Sequence, residues 1–303
     1  MTLAFISHKD CELHDMGYGH PEQPARVKVI EEIVRNSNLP IEYFEAPLAT
    51  REQLIEVHDE DYIDYIFKVS PKSGLVSLDP DTFMNPFTLN AALRSAGAAI
   101  LAVDLVMQNK FSAAFCNVRP PGHHAEKNHA MGFCFFNNVA VGVAHVLLQY
   151  RLKKIAIIDF DVHHGNGTED IFRNDERVLL CSSFEHPFYP HSGFNTKSDH
   201  IINLPLPPGT DGKMFRNNIE NTWLNALDKF KPDMIFFSAG FDAHREDTLA
   251  DFNLIESDYA WITNQIKQVA NQHCPGRIVS LLEGGYALPA LARSVLSHLE
   301  KLT

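Results

Sequence analysis

Residues 155–167 read Ile-Ala-Ile-Ile-Asp-Phe-Asp-Val-His-His-Gly-Asn-Gly. The first four are small or β-branched and apolar, which suits a strand buried on both faces, as in a parallel sheet. Acids and imidazoles follow at once, and Gly165 breaks the run. Side chains two apart on a strand share a face. Strand geometry continued past Asp159 therefore sets Asp159, Asp161 and His163 in one row. Two carboxylates and an imidazole crowded at a sheet edge are costly unless a cation sits among them. His nitrogen and Asp oxygen are both zinc ligands. The carboxyl ends of parallel strands are also where open α/β sheets bind their ligands. A buried Asp bonded to loop amides, beside two surface histidines, explains this one stretch equally well.

Working outward, 303 residues suffice for one large α/β domain or two ordinary ones. With 45% hydrophobic and 21% charged residues, the chain reads as a soluble globular protein with a sizeable core. A formal charge of −12 argues against a nucleic-acid partner, whose binding surfaces are basic, and suits a cationic substrate better. Cys11, Cys116, Cys134, Cys181 and Cys274 are odd in number and lack C-x-x-C spacing, which points to reduced thiols in a cytosol-like compartment. The opening apolar run is too short for a secretory signal, and no stretch approaches the roughly 20 apolar residues of a membrane span. The expectation is a soluble cytoplasmic protein without a membrane partner; a homo-oligomer stays open.

Strands are expected at residues 3–7, 112–117, 178–183, 201–204 and 277–282, with others opening at Ile155 and Asp233. Helices are expected at 24–35, 59–69, 87–109, 137–150, 168–173, 213–230, 257–271 and 288–302. A short one is signalled by the capping box of Thr50 and Gln53. Residues 71–86 read as a loop with turn signals, bearing Asp79 and Asp81. The alternation is unbroken, without linker or repeat, so residues 1–303 read as one doubly wound α/β domain with its long loops gathered at one edge.

Four loops after strands carry the chemistry: His123 and His124, Asp161 and His163, Asp242, and Tyr286. Three protein ligands and an open position make a catalytic zinc site, and Asp161, His163 and Asp242 supply them. Such an ion lowers the pKa of bound water towards about 7 and polarises a carbonyl. His123 and His124 then serve as base and acid, and Tyr286 offers an O–H to the oxyanion. These parts fit hydrolysis of an amide or related acyl bond. No G-x-S-x-G elbow or H-E-x-x-H occurs. Gly165 stands where a two-metal D-x-H-x-D site needs a further acid, so one metal is expected.

Taken together, Arg119-Pro-Pro-Gly-His-His-Ala125, Gly132-Phe-Cys134, Asp159-Phe-Asp-Val-His-His-Gly165, Ala239-Gly-Phe-Asp242 and Leu282-Glu-Gly-Gly-Tyr286 resemble the zinc-dependent histone deacetylase family, which includes acetylpolyamine amidohydrolases and bacterial deacetylase-like enzymes. With His20-Pro-Glu22, the resemblance spans about residues 10–295. It implies a single-domain arginase-like α/β fold, its central parallel β-sheet flanked by helices, with the active site at the bottom of a narrow tunnel. It implies zinc on Asp161, His163 and Asp242, His124 as general base and acid, His123 as electrostatic partner and Tyr286 as oxyanion donor. Asp159 is expected to orient His123 and, with Ser182, to reach a structural potassium ion. Gly132, Phe133 and Gly284 are expected to line the tunnel, with Tyr189 or Phe188 across it.

Asn166 stands where class I relatives have an Asp orienting the general base; the class II-like branch is similar to this sequence in having Asn. Leu249 aligns with an acidic gatekeeper of polyamine-specific relatives, which resembles the acetyl-lysine type, although Glu246, Asp247 and Asp251 lie nearby. Asp81 aligns with a rim acid that binds peptide main chain. His14 and His58 read as structural or surface residues, His20 as fixing a loop, His164 as pointing off the metal-facing row, and His244 as outside the ligand set. The readings left open are an acyl-lysine deacetylase, a deacetylase of acetylpolyamines or other small amides, and a zinc-binding regulatory homologue with negligible turnover.

Overall fold

The computed structural model describes residues 2–303. In chain order the elements are β1 (Leu3–Ser7), α1 (Ala25–Arg35), β2 (Ile41–Glu45), α2 (Arg51–Ile55), α3 (Glu60–Val69), the hairpin β3 (Val76–Asp79) and β4 (Thr82–Met84), α4 (Thr88–Met107), β5 (Ala113–Asn117) and α5 (Asn138–Gln149). There follow β6 (Ile155–Asp159), α6 (Asn166–Phe172), β7 (Val178–Glu185), β8 (Ile201–Leu206), α7 (Gly212–Asn221), α8 (Trp223–Phe230), β9 (Met234–Ala239), α9 (Glu256–His273), β10 (Ile278–Leu282) and α10 (Leu288–Leu302). Eight strands form one sheet in the order β2-β1-β5-β10-β9-β6-β7-β8, every pairing parallel.

Alternation along each strand divides the core into two layers. Ile155 and Ile157 of β6 pack with α4 and α5, while Ala156 and Ile158 pack with α9 and α10 on the other face. A central strand therefore has no polar side, which is why its sequence is a continuous apolar run.

Four expectations need correction. The edge strand β2 was not foreseen: Ile-Glu-Tyr-Phe-Glu is half exposed and lacks an apolar run. Within 71–86 the chain forms a hairpin, turning at Pro80 and Asp81. The helix expected over 213–230 is two, broken at Thr222 (φ −124°, ψ −70°), whose hydroxyl donates to the Asn218 carbonyl. Finally, α4 is, by length and composition, apolar enough to cross a membrane. Its apolar window is 72% buried inside the protein, against α5 and the sheet, which makes it a core helix.

Candidate active site

The adjacent strands β5, β10, β9 and β6 at the sheet centre each run out at the carboxyl end into a loop that carries part of the site. β6 ends at Asp159, but its alternation runs on: Phe160 and Val162 join Ala156 and Ile158 in one core layer, and Asp159, Asp161 and His163 turn away from it, with His123 facing both acids. Asp161 donates its N–H to Asp159 Oδ1 (3.2 Å). Asp159 then faces His123, with Oδ2 3.1 Å from Nδ1, and Asp242 takes the third place beside Asp161 and His163.

One donor atom from each of Asp161, His163 and Asp242 lies within 4.8 Å of the others, the one such cluster among the described residues. His163 Nδ1 is 3.1 Å from Asp161 Oδ1 and 3.2 Å from Asp242 Oδ2. Main-chain N–H groups aim the carboxylates: His163 and Gly284 donate to Asp161, and Val162 to Asp242. Glycines leave the room. A Cβ on Gly240 would lie 2.0 Å from Asp161 Oδ2, and one on Gly284 2.1 Å from Asp242 Oδ2. Burial and the neighbouring Asp161 push the Asp242 carboxyl up, so two anions this close call for positive charge between them. The donor set and the cleared space both fit a divalent ion such as zinc.

His123 and His124 are side by side, ring centroids 4.0 Å apart, in opposite surroundings. Burial works against a charge on His123, but Asp161 and Asp159 outweigh it and push the imidazole up to about 10. His124 Nδ1 meets only the amide oxygen of Asn166, at 2.7 Å. Burial, then His123 and His163, hold His124 well below its usual range. Burial raises the Tyr286 phenol well above its ordinary value, more than the neighbouring Arg26 lowers it, so the group stays an O–H donor.

These groups open into a cavity of about 260 Å³. Gly132, Phe133, Phe188, Tyr189, Leu249 and Asp81 all line it, with Gly284 and Tyr286. A larger, shallower groove of about 1060 Å³ beside Arg216 and Asp258 contains none of the site residues.

The histone deacetylase domain family matches residues 20–302. The chain belongs to the histone deacetylase family. Among similar proteins, the probable deacetylase of Archaeoglobus fulgidus is 34% identical, across 95% of this chain and 82% of the relative. The histone deacetylase-like amidohydrolase of Pseudomonas aeruginosa is 32% identical, across 94% and 77%. The crystal structure of the HDA15 HD domain matches with a TM-score of 0.90 at 28% identity, covering 100% of this chain and 90% of that one.

Other histidines of the chain sit outside the cavity wall. His164 is held by Glu169 and Ser192, each at 2.9 Å. His14 bonds Thr88, His58 bonds the Asn137 amide, and His20 ties to the Asp81 carbonyl. His244 is buried 3.5 Å from Glu256. Several supporting residues were not foreseen from the sequence. Glu283 accepts from the Gly122 and His123 amides, Asp247 from the Tyr286 amide, and Glu126 from Asn166. Glu22 lies buried between Arg119 and Arg26, whose guanidinium also reaches the Gly285 carbonyl; its place in His-Pro-Glu was the one signal.

Proposed function

We propose that this member of the histone deacetylase family is a zinc-dependent amidohydrolase that removes acetyl or related acyl groups from lysine side chains or similar amines. The observation that carries this is the Asp161–His163–Asp242 cluster at one cavity with His123, His124 and Tyr286. Zinc held by those three residues supplies Lewis acidity to a water and a carbonyl oxygen.

The rest follows from the chain's own groups. A small cavity walled by Phe133, Phe188 and Leu249 takes an alkyl chain bearing the amide and leaves little space for bulk water. His124, uncharged and bonded only to a neutral amide through Nδ1, takes a proton from the attacking water at Nε2. It returns that proton to the nitrogen as the C–N bond breaks, leaving a carboxylic acid and a free amine. His123, kept positive by Asp159 and Asp161, offsets negative charge as it develops. The Tyr286 hydroxyl donates to the oxyanion; a preorganised donor of this kind is worth about 2.7–4 kcal/mol.

The loop after Asp242 favours acyl-lysine over polyamine. Leu249 lines the cavity, whereas Glu246 is drawn off to Arg293 (2.7 Å) and Asp247 to main-chain amides. Potassium beside Asp159 and Ser182 belongs to the same reading, supported by the buried Ser182 hydroxyl, which lacks a hydrogen-bond partner. Turnover of an acetyl-lysine peptide against acetylputrescine is the test. Peptide preference supports the reading; activity on neither, unchanged by Tyr286→Phe, makes the protein a binding homologue.

A further inference from the structure

His124 needs its Nδ1 to hold a proton so that Nε2 is free for water, and the partner of one ring nitrogen decides which nitrogen is protonated. Asn166 alone does not settle this, because an amide turned over presents N–H₂ instead of oxygen. Its other end does. Asn166 Nδ2 lies 2.8 Å from Glu126 Oε1 and 3.2 Å from Met131 Sδ. Both are acceptors, so the amide nitrogen belongs on that side and its oxygen faces the imidazole.

Glu126 is well placed to act through this bond. Among the described residues Asn166 is the one hydrogen-bond donor to its carboxylate. It is half buried at the edge of a groove that also bears Asp59 and Asp61. Its backbone is fixed: the amide donates to the His129 carbonyl, and the carbonyl meets His58 Nδ1 at 2.9 Å. A fixed carboxylate at the far end of an amide polarises it, which makes the oxygen a better acceptor for the proton on His124.

We infer that Glu126 is a positioning residue for the general base: through Asn166 it selects the Nδ1–H form of His124 and supports the imidazolium formed during turnover. This rests on the deacetylase reading above. The negative charge that stabilises the base is set one hydrogen bond further out than a directly bonded carboxylate.

The test uses zinc-loaded full-length protein and an acetyl-lysine peptide. Glu126→Gln keeps an acceptor and removes the charge; kcat is expected to fall about tenfold, within the range for outer-shell partners, with KM and Tm unchanged. Adding Asn166→Asp to that variant moves a carboxylate directly onto His124, and most of the loss is expected to return. Glu126→Ala removes the anchor, and ¹⁵N NMR of the His124 imidazole is expected to change from one tautomer to a mixture. Wild-type kcat in Glu126→Gln, or failure of Asn166→Asp to restore it, overturns the proposal. An inert wild type overturns the deacetylase reading instead. The NMR comparison then still decides the tautomer role, since an unchanged spectrum in Glu126→Ala removes it.

Discussion

The Asp247 carboxylate accepts a hydrogen bond from the main-chain N–H of Tyr286 at 2.6 Å. The same oxygen takes the Ala287 N–H at 3.0 Å, and the other oxygen takes the Leu249 N–H at 3.1 Å. One buried side chain thus fixes Tyr286, the proposed oxyanion donor, and Leu249 of the cavity wall. Asp247→Ala leaves these amides unsatisfied, at about 1–3 kcal/mol each where water cannot reach them. The expected kinetic result is a lower kcat and a higher KM. In a Tyr286→Phe background the effect on kcat shrinks while that on KM persists. Steady-state kinetics of the four proteins checks it, and a fully additive loss in kcat contradicts the link to Tyr286.

The glycines around the ligands give a second prediction. Gly284→Ala puts a methyl group 2.1 Å from Asp242 Oδ2 and 2.6 Å from Asp161 Oδ2, carboxylates that main-chain amides hold in place. Zinc affinity is expected to fall by about tenfold or more, as for loss of a group that orients ligands. Competition with a chromogenic chelator measures this directly. Gly209→Ala, where nothing lies within 4 Å of the added carbon but a φ of +82° strains any side chain, is the control expected to lower stability and leave zinc affinity unchanged.

Acid stability follows from buried groups remote from the metal cluster. Burial, only partly opposed by the Glu126 and Lys127 carbonyls, pushes His58 down to about 4, and burial pushes His298 down to about 3. In the unfolded chain both imidazoles take up protons near the ordinary value of 6.5. Between those values the unfolded state binds more protons, so stability is full above 6.5 and declines as pH falls. Burial alone raises the Glu22 carboxyl, but Arg119 and His14 overcome this and hold it well below 4.5. Its contribution is present above 4.5 and is lost only as pH falls further, through the folded value. Urea midpoints are therefore expected to begin falling near pH 6.5; a flat profile down to pH 4 contradicts the assignment of His58 as buried and neutral.

Glu22→Gln tests the same network at neutral pH. It leaves Arg119 and Arg26 buried with one counter-charge removed, and breaking a buried pair costs about 3–5 kcal/mol. Arg26 also donates to the Glu283 and Gly285 carbonyls in the Tyr286 loop, so activity is expected to fall together with the unfolding midpoint.

Much of this was legible in the chain. Strands such as Ile155–Asp159 announce themselves because both faces are buried, and the Asp, His and Tyr residues just after them announce the site. The edge strand Ile41–Glu45 was not readable, since its half-exposed residues mix apolar and acidic types. The alternation carried past Asp159 by Phe160 and Val162 was readable, by contrast, and so was the pairing of Asp159 with His123. The supporting acids were hidden for another reason. Glu283 holds the Gly122 amide from 161 residues away, and no local pattern encodes a partner at that distance. Asp247 and Glu126 act in the same way, through contacts made only once the loops meet.

The most direct measurement is zinc titration of chelator-stripped protein, following hydrolysis of an acetyl-lysine peptide. Wild type should recover full turnover at one equivalent of zinc, while Asp242→Ala should neither hold the ion tightly nor recover. Turnover that survives metal removal, or an Asp242→Ala protein that binds zinc and works like wild type, would contradict a metal centre built on Asp161, His163 and Asp242.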